Sequence, residues 1–423
     1  MKIAVFSDVF LDVPGGIPSS ILAQKAGLEA LGHEVTVFAP GFLGRHDSLA
    51  NFSEKERKSI VIVPTHRLLK FNGAPVSKRP GLVMKRILKK YPKFDFDVVH
   101  VHYEASCSIA GMKLARRFSR PLVQTMHGRE DMAIAINIPF GLKTIVANVL
   151  CFLHGRYIPH PVRVKKDKNL APTGARAKMW ELMVNHANYA DKVITPSAHF
   201  ARKLKSQGVT RPIMVVSNGV PDQMVAELDQ RVKRTNGNLV RKVEKGDVLR
   251  LFWNSRLSNE KRIMPFLEAL SLMKEPYYCT FCGDGNALKK AKKFVIRNGI
   301  NKKTSFLGRV SHEEVLDKMM GQHLSVTVSY GFDTQGLTLL EAEATGMPVF
   351  FCDPDMKEVV PSGGAVVAEG PEPLEMARAL DGIARTPERI EQMSRVMLAH
   401  RKEILQSAQI KKLLAVYGVQ SRR

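Results

Sequence analysis

Short apolar runs alternate with helix-patterned stretches along most of this chain, and that alternation leaves few folds open. KIAVFSD (2–8) reads as a strand. A loop with Pro14, Gly15 and Gly16 follows, and then the helical stretch SSILAQKAGLEALG, stopped by Gly32. HEVTVFAP, DVVHVH and PLVQTMHG read as further strands, with the helix IAGMKLARRF between the last two. Strands and helices alternating through short connections predict a parallel, doubly wound α/β sheet. Ligands of such sheets bind at the carboxyl ends of the strands. The Gly15-Gly16 loop, His102 and His127 all fall at that edge.

A second α/β series starts near Val248. LRLFWNSRL, YYCTFCGDG, TSFLGRV and LSVTVSY read as strands, separated by MPFLEALSLM, a basic helix over 286–298, and HEEVLDKMM. The 423 residues suit two or three domains. The expected division is an N-terminal Rossmann-like domain over 1–227, a charged linker over 228–247, and a second Rossmann-like domain over 248–386. A basic helical segment over 387–423 is expected to pack back on the first domain. The architecture expected is two doubly wound domains facing a cleft.

The densest chemistry lies in YGFDTQGLTLLEAEATGMPVFFCD, residues 330–353. Gly336 opens a short helix, Gly346 closes it and Pro348 prevents its continuation. The backbone N–H groups at Gly336 and Leu337 then face outward at a helix N-terminus, a ready phosphate site. Asp333 sits just before that site. Glu341 lies about 7–8 Å further along, at about 1.5 Å per residue. Anion recognition and hydroxyl recognition side by side are what a sugar nucleotide needs. Arg256 and Lys261, in NSRLSNEKR after the first strand of the second domain, add two cations suited to a diphosphate.

The acidic-x7-acidic spacing of Asp333 and Glu341 resembles the signature of retaining GT-B glycosyltransferases of family 4. Other stretches resemble the same family. They are VITPSAHFARKLKSQGV with PIMVVSNGV, FCGDGNALKK, and FLGRVSHEEV, whose backbone at Arg309 and Val310 the family sets against the nucleotide base. The likeness spans roughly residues 1–370. It departs at Asp333, where the family has Glu, and at Ser255, where it has Gly. It departs also before Glu358, where a Gly-Gly pair is absent. DTQGLTLLEA, and REDM after His127, look similar to bacterial enzymes that glycosylate diacylglycerol.

The resemblance implies retaining hexosyl transfer from a nucleotide sugar, such as UDP-glucose, to a membrane lipid. Arg256, Lys261 and the amides near Gly336 would stabilise the leaving diphosphate. Glu341 would accept from the ribose, and Asp333 and His127 would hold the sugar. Gly15 and Gly16 would let the backbone approach the diphosphate or acceptor closely. No cofactor beyond the donor and no metal is expected. Asp353-Pro-Asp355 matches a three-residue metal motif of another glycosyltransferase fold, but it follows the VFF strand here and is assigned no ion. A soluble or polysaccharide acceptor would keep the same chemistry.

Charge bears on the acceptor. The net charge is +24, and residues 1–220 hold 33 Lys and Arg against 15 Asp and Glu. Residues 67–93 hold nine basic residues and no acid, and GLVMKRILKKYPKF within them patterns as an amphipathic basic helix. Such helices lie on anionic bilayers. PFGLKTIVANVLCFL, followed by RYIPHPVRVKKDKNL, is a second candidate for dipping into the interface. Nucleic-acid binding would also use the charge, but it needs aromatics interleaved with the basic stretches, and only 7% of residues are aromatic. DVPGGIPSS is no G-x-G-x-x-G, which excludes a nicotinamide dehydrogenase. The start MKIAVFSD is strand-like rather than a leader, and five scattered cysteines suit a reducing cytosol. The location expected is the cytoplasm, at the face of the membrane. Cys279 and Cys282 are expected as buried core thiols.

Overall fold

The computed structural model describes residues 1–12, 15–42, 49–71, 74–234 and 237–418. Pro14 of the first loop therefore lies outside the described residues. Two units divide the chain: residues 1–218 with 409–423, and residues 219–408.

The first unit is built on a seven-stranded parallel sheet. Its strands are β1 (Lys2–Ser7), β2 (Glu34–Pro40), β3 (Ile60–Val63), β6 (Val98–His102), β7 (Leu122–Thr125), β8 (Lys192–Thr195) and β9 (Ile213–Val215), in the order β3-β2-β1-β6-β7-β8-β9. β4 (Thr65–Phe71) and β5 (Ala74–Ser77) pair separately as an antiparallel ribbon. The helices are α1 (Gly16–Ala30), α2 (Glu54–Ser59), α3 (Pro80–Lys90), α4 (Ser106–Arg117), α5 (Glu130–Asn137), α6 (Lys143–Gly155), α7 (Gly174–Tyr189) and α8 (Ala198–Ser206). β1 and β6 are buried on both faces, as parallel strands covered by helices must be. One layer packs Phe6, Phe38, Val99 and Val101 against α3 and α4; the other packs Ile3, Val5, Val35 and Val37.

The second unit holds a six-stranded parallel sheet in the order β12-β11-β10-β13-β14-β15. These strands are β10 (Leu249–Asn254), β11 (Tyr277–Cys282), β12 (Thr304–Gly308), β13 (Leu324–Thr327), β14 (Val349–Phe351) and β15 (Ala365–Val367). Its helices are α9 (Asp222–Arg234), α10 (Ile263–Leu272), α11 (Leu288–Arg297), α12 (His312–Met320), α13 (Leu337–Ala344), α14 (Pro373–Arg385) and α15 (Glu388–His400). Cys279 and Cys282 are free thiols buried in β11, as the sequence suggested. The last helix, α16 (Gln406–Tyr417), places Ile410, Leu413, Val416 and Tyr417 in the core of the first unit.

The expected domain limits need correction. The division falls at 218/219 rather than 227, and 228–247 is not a free linker. Met224 and Leu228, one helical turn apart, bury on α9 into the second unit's core. Arg241 is buried and donates to the carbonyls of Leu239 and Met319. The charge density of this stretch hid a narrow apolar stripe. At the C-terminus, α15 stays with the second unit through Ile390, Met393 and Met397, and only 409–423 joins the first.

The helix expected to lie on a bilayer also reads differently in three dimensions. Val83 and Ile87 of α3 are wholly buried in the first unit's core, and Met84 and Leu88 pack against it. What α3 turns outward is Lys85, Arg86, Lys89 and Lys90, with Leu82 beside them. Its apolar stripe is therefore already used. Ile87→Ala should cost about 2–5 kcal/mol of stability through lost burial and a cavity. Leu82→Ala should stay within about 0.5 kcal/mol. Thermal unfolding of the two variants checks this, and equal effects would contradict the packing.

Candidate active site

The residues singled out in the second unit gather at the carboxyl edge of its sheet. Glycines set the geometry there. A Cβ on Gly283 would lie 2.2 Å from the carbonyl oxygen of Ser255, and one on Gly285 would lie 2.4 Å from that of Leu257. Only glycine lets the turn after β11 press against the loop after β10. The contact is hydrogen-bonded, Leu257 N–H to Asp284 O and Ala287 N–H to Leu257 O, at 3.0 and 2.9 Å. The loop thus fixed carries Arg256, which is mostly exposed and contacts Glu260 at 2.9 Å.

Lys261 is not held ready for an anion alone. Its Nζ donates to both oxygens of Asp333, at 2.6 and 2.8 Å. The sequence reading gave these two residues separate partners, a diphosphate and a sugar. These opposite charges lie on adjacent loops, and both side chains are largely shielded from water.

Gly336, with φ of 77°, turns the chain into α13, and no side chain caps that end. The residue before a helix in this left-handed region favours glycine. The loop leading to it is braced from β14: Asp353 accepts from the N–H groups of Gly331 and Asp355, at 2.6 and 3.0 Å. Asp353-Pro-Asp355 is therefore a backbone brace.

Glu341 points from α13 toward the same edge. It accepts from Asn254 Nδ2 at 3.0 Å and meets His312 Nε2 at 2.9 Å. The carboxylate raises the pKa of His312. Because His312 opens α12, this contact brings the segment of Arg309 and Val310 beside α13. Val310 packs on the core and Arg309 is exposed. Neither Asn254 nor His312 was singled out from the sequence. The NSRL and RVSHEE stretches that contain them were the only signal available.

In the first unit, β6 and β7 lay His102 and His127 side by side. His102 Nδ1 and His127 Nε2 are 2.7 Å apart, and their rings stack at 5.0 Å. Burial pushes His127 down to about 4 and His102 well below its ordinary value, so both are neutral at pH 7. Tyr103, at φ 87°, directs its hydroxyl to Glu130 Oε2 at 2.9 Å. Burial raises Glu130 to about 7 and Glu104 well above its usual range. Asp8 accepts from the N–H groups of Ala105, Cys107 and Ser108 at the start of α4. These carboxyls were missed from the sequence, because nothing in the chain order tells a buried acid from a solvated one. Gly15 precedes α1 in extended backbone, and a Cβ there would make only ordinary contact with Pro18 at 3.6 Å. Gly16 is the first residue of α1. Gly15 is thus not required by backbone strain.

Two parallel α/β units, each carrying polar residues at its carboxyl edge, are the architecture of the GT-B fold. Residues 14–223 match the family model described as Glycosyltransferase Family 4, and residues 240–396 match that of Glycosyl transferases group 1. The chain belongs to these glycosyltransferases, with a family 4 domain followed by a group 1 domain. It is 26% identical over 355 residues to the alpha-monoglucosyldiacylglycerol synthase of Acholeplasma laidlawii, covering 82% of this chain and 79% of the relative. The synthase of that name from Streptococcus pneumoniae is 24% identical over 366 residues, covering 82% and 70%. Among solved structures, sucrose-phosphate synthase of Thermosynechococcus elongatus matches with a TM-score of 0.72 at 14% identity, covering 99% and 98%. Anabaena HepE in complex with UDP and glucose matches with a TM-score of 0.65 at 14% identity, covering 98% of both chains.

The buried imidazoles give the first unit a signed pH dependence. His100 and His186 are held at about 3 and His127 at about 4, against an ordinary 6.5. Between pH 6.5 and 4 the unfolded chain binds protons there that the folded chain refuses. Stability present above pH 6.5 is therefore lost on acidification, at about 1.4 kcal/mol per pH unit per histidine. Glu130, raised to about 7, acts with the opposite sign between pH 4.5 and 7. Burial also lowers His102 and His154 and raises Glu104 and Asp8; five histidines still outnumber three carboxyls, so the urea midpoint should fall from pH 7 to pH 5. His127→Asn should flatten that slope, and a midpoint rising toward pH 5 would contradict it.

Proposed function

We propose that this glycosyltransferase moves a hexose from a UDP-sugar to a lipid acceptor of the diacylglycerol type, with retention at the anomeric carbon. The observation that carries the donor half is the uncapped start of α13, with Glu341 one turn further on. The amides at Gly336 and Leu337 take the diphosphate, with the helix dipole behind them. Arg256 and Lys261 complete the anion clamp, and a ligand phosphate replaces Asp333 as the partner of Lys261. Asp333, so released, holds hexose hydroxyls. Glu341, already an acceptor from Asn254 and His312, takes the ribose hydroxyls, and the backbone at Arg309 and Val310 faces the base.

Chemistry follows from where charge develops. The bond from the anomeric carbon to the donor phosphate oxygen breaks, and negative charge grows on the diphosphate. Cations and amides fixed in advance stabilise that charge without reorganising. The acceptor hydroxyl attacks on the face the diphosphate leaves and gives its proton to the departing phosphate oxygen. No protein nucleophile is required. The chain's own cations suffice for the leaving group, so the proposed transfer uses no metal.

The lipid half rests on the two alpha-monoglucosyldiacylglycerol synthases among the relatives and on one face of the first unit. Phe140, Leu142, Ile145, Val149, Leu150, Phe152 and Leu153, on and before α6, are all exposed, Phe140 at 90%. Lys143 lies over the Phe140 ring, Arg156 follows the end of α6, and the exposed Lys165, Lys166 and Lys168 come next along the chain. Among the described residues no helix is long and apolar enough to cross a membrane. An exposed apolar face in a basic stretch of chain suits the surface of an anionic bilayer, each basic residue near it adding about 1 kcal/mol. This face, rather than the apolar stripe of α3, is the proposed docking surface. The basic face of α3 adds charge.

Two experiments test the two halves. Glu341→Ala and Arg256→Ala should each lower turnover with a UDP-sugar at least ~100-fold; wild-type rates in both variants would remove the donor assignment. In flotation with phosphatidylglycerol vesicles the wild-type protein should rise with the lipid. Phe140→Ser with Phe152→Ser should cut that partition at least ~10-fold, each phenyl burying about 1.5–3 kcal/mol of apolar surface. Equal partition of the two proteins, or no preference for anionic over neutral vesicles, would remove the membrane assignment.

A further inference from the structure

A chain of hydrogen bonds runs from the sheet of the first unit to the base of α6, and its direction can be read. Gln124 Nε2 donates to the carbonyls of Thr125 and Tyr103, at 3.0 and 3.3 Å. Its Oε1 must therefore be the atom that accepts, and it faces His186 Nε2 at 3.1 Å. His186 thus carries its proton on Nε2, and its Nδ1 is an acceptor. That nitrogen meets His154 Nε2 at 2.8 Å, so His154 donates there and keeps a lone pair on Nδ1. His154 Nδ1 in turn meets His160 Nε2 at 2.6 Å, so His160 donates through Nε2. One amide thereby sets three imidazole tautomers in sequence.

The consequence is a bare lone pair at the end of the chain. His160 Nδ1 faces Glu181 Oε1 at 3.9 Å. A lone pair beside a carboxylate is repulsive unless a cation lies between them. Protonating His160 is one remedy, but Glu181 already has two cations, Arg163 at 2.5 Å and Lys178 at 3.2 Å. The thiol of Cys151 completes the group: its sulfur, a nitrogen of His160 and an oxygen of Glu181 all lie within 4.8 Å of one another. Cys151 and Glu181 are buried, and the side chain of His160 is 8% exposed.

We propose that Cys151, His160 and Glu181 bind a divalent transition metal of the zinc class, which ties α6 and the following turn to α7. Thiolate, imidazole and carboxylate are its characteristic ligands, at about 2.0–2.3 Å in tetrahedral geometry. Separations between such ligands are about 3.3–3.6 Å, so the three atoms close in by about an ångström around the ion. Cys151 gives up the S–H bond it now makes to the carbonyl of Lys178 (2.9 Å), and that proton leaves to solvent. Charge balances, because a thiolate and a carboxylate neutralise a divalent ion. Arg163, whose side chain is 70% exposed, swings to water at little cost. His160 keeps its outer N–H on His154, as metal-bound imidazoles do with their second nitrogen. The ion would fix the side of α6 opposite its exposed apolar face, because Ala147, Cys151 and His154 are the residues α6 buries.

The test uses the full chain, freed of any polyhistidine tag, grown with zinc and passed through gel filtration. Elemental analysis should find about one zinc per chain. Cobalt substitution should produce a thiolate-to-cobalt charge-transfer band, which no oxygen- or nitrogen-only site yields. Cys151→Ser should abolish that band, and His154→Asn, which leaves all three ligands in place, should weaken zinc affinity by about 10–100-fold. Circular dichroism of each variant separates loss of metal from loss of fold. Zinc below about a tenth of an equivalent in the folded wild type, with no cobalt band, would overturn the proposal. Undiminished zinc in folded Cys151→Ser would overturn it equally.

Discussion

Parallel pairing is the constraint on which both halves of this protein depend. A parallel strand cannot return by a tight turn, so every connection crosses a face of the sheet and buries it. All strands then end on one edge, where loops meet helix N-termini. Gly336, Glu341, Arg256, Lys261 and Asp333 come together only because β10, β12, β13 and β14 finish there. His102 and His127 meet for the same reason, at the end of β6 and just past the end of its neighbour β7. Chemistry dispersed along the chain is collected by one geometric rule.

Within that frame, the charged side chains of the second unit's site are paired with one another. Lys261 and Asp333 satisfy each other, Arg256 has Glu260, and Glu341 has Asn254 and His312. The Lys261–Asp333 pair keeps two largely buried ions from lying alone, which is costly. The first unit works differently. Its imidazoles are kept neutral by burial and its acid Glu130 is lifted to about 7, so hydrogen bonding rather than fixed charge dominates there.

Amphipathic segments show why a linear pattern and a surface are different things. GLVMKRILKKYPKF has the helical period and charge of a membrane-lying helix, yet the fold spends its apolar stripe on Phe38, Phe94 and Phe96 in the core. KTIVANVLCFLHG, apolar on nearly all sides, buries only Ala147, Cys151 and His154 and leaves Phe152 and Leu153 outside. The first has one stripe, which the core takes; the second has more apolar surface than its neighbours α5 and α7 cover.

The chain order alone determined the α/β class, the strand and helix sequence, the helix opened by Gly336, and the acid spacing of Asp333 and Glu341. These follow from local periodicity and from glycine and proline chemistry, which act over a few residues. It also marked His127 and the Arg256 loop, through their place at strand ends. Only tertiary structure decided that Lys261 meets Asp333, that Asn254 and His312 hold Glu341, and that 222–247 belongs to the second unit. It alone set the row of His160, His154, His186 and Gln124, and lifted Glu130 toward neutrality. The physical reason is that pairing energies and desolvation depend on distance in space, and residues 72 or 87 positions apart carry no sign in the sequence that they will touch.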